Sequence, residues 1–316
     1  MEVGPKGLAQ TIADLLKMLQ KEDIRPDSAD KPLFLAAPII VFTAVFAGFS
    51  VVPLTSSFGG AGIYSGLFFL LAIVSIDVIG ILMAGWGSNN KYSYYGAMRS
   101  VAQIVSYEIP LGLSVLSVVM VCQSMDLQEI INQQGVTNSS EEVLLGFNWS
   151  GISAVGGFLT WNVFRMPVLW ISFLIFFIAG LAESNRTPFD LPESESEIIG
   201  GYHTEYSGFR WGIFMLAEYT MMMLISLLAA ILFFGGWQSP LPNLGGWKLT
   251  EMTSGMGWGV FWLVSKAIAF IFVQMWVRWT YPRLRVDQLM SLSWKYLTPA
   301  AIIILFLVGV WKLMVI

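Results

Sequence analysis

The sequence predicts an all-α, multi-pass membrane fold, and three observations carry that prediction. The 316-residue chain is 56% hydrophobic and only 12% charged, where a soluble domain carries about 25% charged residues. Its mean hydropathy is +0.68. Seven apolar runs, each long enough to cross roughly 30 Å of hydrocarbon, recur along it. Thirteen Trp and ten Tyr suit a helical bundle whose aromatics sit at the membrane boundaries.

The elements follow in order. Met1–Asp30 is polar and amphipathic and lacks the pattern of a cleavable signal. Within it, Gly7–Glu22 is too short and polar to span. Leu8, Ile12, Leu15, Leu16 and Leu19 share one helical face while Asp14, Lys17 and Lys21 lie elsewhere, so a helix lying in the interface is expected. A soluble leader packed on a neighbour is the plainer alternative. Residues 31–316 then form one transmembrane domain with spans at Leu33–Leu54, Ile63–Gly85, Ala97–Cys122, Met166–Ala182, Trp211–Gly235, Trp258–Tyr281 and Leu297–Ile316. Gln123–Arg165 is the one long connection, which leaves no room for a separate soluble domain, and no internal repeat is visible.

Lysine and arginine set the orientation. With these spans, thirteen of the 17 basic residues fall on one side, and Arg165, Lys248 and Lys312 on the other, with Lys266 inside a span. The N-terminus and the polar loop 183–210 are therefore expected on the cytoplasmic side.

Acids and bases inside spans cost roughly 2.5–3.5 kcal/mol each on insertion scales, so each calls for a reason. Asp77, Glu108, Glu218 and Lys266 lie in or near the middle of spans; Arg99, Glu183 and Arg278 lie nearer the cytoplasmic ends. In S-Y-E-I-P, Pro110 removes a helix hydrogen bond and frees a carbonyl near Glu108. One by one, such groups fit helix-fixing ion pairs as well as a relay. Several in seven spans favour an ion pathway.

The segment 181–208 concentrates Glu183, Asp190, Glu193, Glu195, Glu197 and Glu205 against Arg186 alone. Thr187-Pro188 and Asp190-Leu-Pro-Glu193 both have the pattern of helix starts. Glu193 and Glu197 would then repel each other on one face. Carboxylates crowded in this way share a proton near neutral pH; a solvated acidic loop that binds a basic partner is the alternative. Gly200-Gly201 and Gly208 favour a closely packed loop. His203 fits a hydrogen-bonded structural role and Cys122 a small apolar one. With one His and one Cys, the chain alone cannot ligate an iron–sulfur cluster or form an internal disulfide. Nucleotide-binding glycine motifs and nucleophile triads are absent, and no metal site is expected.

A-E-S-N-R-T-P-F-D-L-P-E-S-E-S-E (182–197) with G-Y-H-T-E-Y-S-G (201–208) resembles the signature of the H-type membrane subunits of NADH-quinone oxidoreductase, respiratory complex I. The likeness continues in G-W-G-S-N-N-K-Y-S (85–93), M-R-S-V-A-Q-I-V-S-Y-E-I-P (98–110), R-W-T-Y-P-R-L-R-V-D-Q-L-M (278–290) and W-K-Y-L-T-P (294–299). It covers nearly the whole chain. That family has eight spans; here Met1-Glu2 stands before the V-G-P-K-G stretch that follows the family's first span, and seven spans are what its absence would leave.

The resemblance implies a quinone chamber, shared with a peripheral-arm subunit, and coupling of quinone reduction to proton translocation. Glu108, Glu183, Glu205 and Glu218, with Asp77 less closely matched, correspond to the family's line of buried acids. Arg186, Asp190, Glu193, Glu195 and Glu197 correspond to the chamber loop, and Arg99, Arg278, Arg283 and Asp287 to polar residues near the cytoplasmic face. No catalytic residue is implied on this non-redox subunit. Ubiquinone or menaquinone is the implied substrate, with FMN, iron–sulfur clusters and haem held elsewhere. Implied partners are the cluster-bearing and quinone-site peripheral subunits, small membrane-arm subunits and the lipid bilayer of a bacterial inner membrane, not nucleic acid. The competing functions are the related membrane subunit of an ion-pumping hydrogenase or ferredoxin- or F420-driven complex, and a stand-alone ion transporter. The missing repeat argues against the last.

The basic-residue asymmetry makes a direct prediction. In a chain lacking Cys122, a membrane-impermeant thiol reagent added from outside should spare Asp14→Cys and label a cysteine placed in 123–165. Labelling of position 14 from outside alone would overturn the orientation.

Overall fold

The computed structural model describes residues 3–7, 9–56, 59–135, 143–148, 155–191, 198–243, 249–253 and 255–315. Helix α1 (Gln10–Gln20) is followed by α2 (Lys31–Phe49), the broken pair α3 (Gly66–Val74) and α4 (Asp77–Gly87), and the long α5 (Lys91–Cys122). After a short α6 (Leu127–Gln133) come α7 (Val168–Glu183), α8 (Gly208–Phe233) and α9 (Met256–Thr280). Helix α10 (Val286–Ser291) runs through a π-helical turn, Leu292–Leu297, into α11 (Thr298–Val315). Among the described residues the only strands are a small hairpin, Val143–Leu144 against Phe147–Asn148, inside the long connection.

All seven expected apolar runs are helical. Six are long enough to cross a membrane and α7, with 16 residues, is shorter. Two differ from expectation for local reasons. Asn90 starts α5 six residues early, because its side-chain oxygen accepts the Tyr92 N–H at 2.9 Å. The second span breaks after Ser75, whose hydroxyl reaches back to the Leu71 carbonyl at 2.9 Å beside its own N–H, a pattern that bends helices.

Packing is close because small residues line the contacts. A Cβ on Gly85 of α4 would lie 2.3 Å from the Ala97 Cβ of α5, and one on Gly96 would lie 2.6 Å from the Gly201 Cα. Helix α5 thereby touches α4, α7, α11 and the Gly201–His203 turn. It is the centre of the bundle.

Where a helix proline removes an N–H, the carbonyl four residues earlier loses its partner. Pro38 leaves the Phe34 carbonyl free, and the Tyr206 hydroxyl donates to it at 3.1 Å. Pro110 frees the Ser106 carbonyl, which accepts from the Ser293 hydroxyl at 2.5 Å. The loosened turn beside Glu108 is thus closed by a side chain from the π-helical turn.

Lys266 has a similarly structural explanation. Its ammonium donates to the carbonyls of Phe234, Gly236 and Gln238 at 2.7, 2.9 and 2.7 Å, and sits 4.4 Å over the Trp161 ring. It caps the C-terminal end of α8, where carbonyls lack intrahelical donors. Lys312 reaches the Val121 carbonyl in the last turn of α5 at 3.2 Å. Neither lysine is placed among the buried acids.

Lys266→Met keeps the stem but removes all three donors. An unmet buried carbonyl costs about 1–3 kcal/mol, so the variant should show a clearly lowered thermal midpoint in detergent. An unchanged midpoint would show that these bonds contribute nothing net.

Candidate functional site

Two groups of carboxylates form among α4, α5, α7 and α8. In the first, Asp77 opens α4, Glu108 lies in α5 and Glu183 ends α7. The Ser75 hydroxyl, at the helix break, donates to Glu108 Oε1. Glu183 is buried at 9% exposure, and its charge environment includes both Glu108 and Asp77. Asp77 Oδ1 is buried without a hydrogen-bond partner. The break in the second span is therefore what brings two carboxylates and a hydroxyl together.

The second group surrounds Glu218 of α8, itself buried. The Tyr202 hydroxyl donates to Glu218 Oε1 at 3.0 Å, and Arg186 Nη2 lies 3.8 Å from Glu218 Oε2. That distance is an ion pair but too long for a strong hydrogen bond. The Arg186 guanidinium stacks 4.2 Å from the Tyr219 ring centre. Although Arg186 is only 8% exposed, its Nε and Nη2 have no hydrogen-bond acceptor. Glu205 stands apart: the Asn90 amide donates to its Oε1 at 2.5 Å, so one residue both caps α5 and holds an acid.

The loop after α7 is built as a turn. Asn185 adopts the left-handed region at φ 50, which Asn tolerates better than most residues. The Phe189 N–H bonds to the Arg186 carbonyl at 2.8 Å. Thr187-Pro188 does not start a helix as its sequence pattern suggested. Its peptide is cis and lies within this turn. Asp190 pairs with Arg283 at 2.8 Å, and the Leu284 N–H meets the Pro188 carbonyl at 3.1 Å, tying the loop to the segment before α10. Burial pushes the Asp190 carboxyl above its usual range, and the Arg283 bond and charge, with Arg278 and Arg186, pull it partly back.

Not every expected residue joins these groups. Arg99 is half-buried in α5, and Arg278 is exposed at the end of α9, where its charge reaches Asp190. Asp287 is exposed in the first turn of α10, an ordinary place for an acid at a helix N-terminus. Glu193, Glu195 and Glu197, with the helix expected to start at Asp190, lie outside the described residues. Tyr202, Ser75, Gln103 and Asn90 were not singled out from the sequence. Neutral polar side chains in spans and loops carry no charge cost that would mark them out.

A sequence profile described as NADH dehydrogenase matches residues 1–309. The chain belongs to the NADH dehydrogenase family. It is 52% identical to an H-type subunit of NADH-quinone oxidoreductase from Cytophaga hutchinsonii, over 98% of this chain and 89% of that relative. It is 51% identical to the corresponding subunit of Chlorobaculum parvum and 45% to that of Brevibacillus brevis, each over 98% of this chain and 82% and 81% of the relative. This family member is thus a multi-pass membrane protein whose relatives are subunits of a quinone oxidoreductase in bacteria.

In the same loop, burial pushes His203 down to about 4 from its ordinary 6.5. The folded state holds it neutral while the unfolded chain takes up a proton below pH 6.5. Its favourable contribution is therefore complete above pH 6.5 and is lost as pH falls towards 4. Lowering pH from 7 to 5 should cost about 2 kcal/mol through this residue. His203→Gln should flatten thermal melting between those pH values, and an equally steep decline in the variant would assign the effect elsewhere.

Proposed function

We propose that this chain is the membrane subunit that frames the quinone chamber of a proton-translocating NADH-quinone oxidoreductase and couples quinone reduction to buried carboxylates. The supporting observation is Arg186. It lies in the loop after α7, buried, with Nε and Nη2 lacking acceptors and Glu218 at 3.8 Å. Such a cation is poorly satisfied by Glu218 alone. New negative charge, as on a quinone being reduced, competes with Glu218 for it and alters that acid's hold on a proton. This is coupling as a free energy between two sites, without covalent catalysis by the subunit.

In this reading Glu218, Glu205, Glu183, Glu108 and Asp77 carry the coupling. The chamber loop comprises Arg186, Asp190, Glu193, Glu195 and Glu197, with Arg99, Arg278, Arg283 and Asp287 near its mouth. The quinone enters from the bilayer, and peripheral-arm partners supply electrons from their own FMN and clusters. The loop faces the cytoplasm. Helix α1 lies in the interface, a placement supported by its exposed Ile12, Leu15, Leu16 and Leu19.

Two variants of the assembled complex test this. Arg186→Gln should slow quinone reduction about tenfold or more while NADH still reduces the clusters at the normal rate. Glu108→Gln is nearly isosteric and should assemble, yet take up fewer protons per quinone reduced in vesicles, because an amide cannot relay a proton. Normal pumping by assembled Glu108→Gln would remove Glu108 from the relay.

A further inference from the structure

We propose that Gln103 of α5 is a positioning residue that aims Arg186 at Glu218, an inference that rests on the function proposed above. Gln103 is 1% exposed and uncharged, in the N-terminal half of the central helix. Its Nε2 carries two hydrogens, which serve the Ala182 carbonyl at 2.7 Å and the Phe189 carbonyl at 2.8 Å, while Asn185 Oδ1 at 3.2 Å shares one of them. Ala182 precedes the last residue of α7, and Phe189 is seven residues further on. One amide therefore closes the whole turn that carries Arg186.

Three features show that the amide nitrogen is the end that matters. All three neighbours are acceptors, so only the –NH2 end can face them. Oε1 is buried with no partner, so the orientation is held for what the nitrogen donates to. The third acceptor belongs to Asn185, whose left-handed backbone sets the direction of the next residue, Arg186. Arg186 itself has weak restraints at its far end: a 3.8 Å ion pair and a ring contact, with no strong hydrogen bond from Nε or Nη2. Its aim is decided at the base of the turn, and Gln103 is what fixes that base.

A residue that only stabilised the fold would change assembly and leave each assembled complex normal. A positioning residue changes the quinone step and does so through Arg186. The test uses the full complex carrying Gln103→Met, Arg186→Gln or both, assayed with varied short-chain quinone and, separately, for cluster reduction by NADH. Gln103→Met should reduce kcat/KM for quinone about tenfold per assembled complex, chiefly by raising KM, with cluster reduction unchanged. The double variant should be no worse than Arg186→Gln alone, since an aiming residue has nothing left to aim. Losses that multiply, or a normal quinone step in Gln103→Met, would overturn the inference. If Gln103→Met fails to assemble, Gln103→Asn provides the same reading: its amide is one methylene short of bridging Ala182 and Phe189, so it should show the same KM defect. An Asn variant with normal KM would equally overturn the inference. Failure of Arg186→Gln to affect quinone reduction would instead remove the proposed function itself.

Discussion

Inside hydrocarbon a backbone carbonyl has no water to turn to, and the architecture depends on meeting that demand with protein groups. Prolines 38 and 110 each break one rung of a helix ladder, and Tyr206 and Ser293 complete the two orphaned carbonyls from other elements. Lys266 and Lys312 do the same at helix ends. Each repair joins segments far apart in sequence. The Tyr206 bond links the loop before α8 to α2, and the Ser293 bond links the π-helical turn to α5. Local backbone defects are thereby turned into tertiary restraints between distant segments of the bundle.

The same economy of polar groups shapes the candidate site. Three buried or half-buried carboxylates are each placed beside a neutral donor: Ser75 for Glu108, Tyr202 for Glu218, Asn90 for Glu205. A neutral donor lets an acid keep its place whether or not it carries charge, which a permanent salt bridge would not. Arg186 supplies a buried positive charge to the second group, and it does so at ion-pair distance with donors to spare. Relatives named as NADH-quinone oxidoreductase subunits match nearly the whole chain, and in the function proposed above the charge change met by this arrangement is that of a quinone.

Helix α5 unites these features. Along one helix it carries the Asn90 cap, Gln103 beneath the loop, the Ser106 carbonyl opened by Pro110, and Glu108 facing the break in the second span. Its Gly96 allows the close approach of the Gly201 turn that carries Tyr202.

The sequence by itself determined the class, the seven apolar helices and the acids in question, because hydrocarbon length and the cost of buried charge are written residue by residue. Pro110 likewise announced a free carbonyl. Which group answers that carbonyl could not be read, since Ser293 is 187 residues away and an uncharged serine leaves no trace in hydropathy. Lys266 looked like part of an ion path from its position in a span, and only packing showed it capping α8. Thr187-Pro188 carried a helix-start pattern that the pull of Gln103 and Arg283 on the loop overrode in favour of a turn. The pairing of Arg186 with Glu218 was decided by tertiary structure alone, because proximity across 32 residues depends on how two helices and a loop close upon each other, not on either residue's local preference.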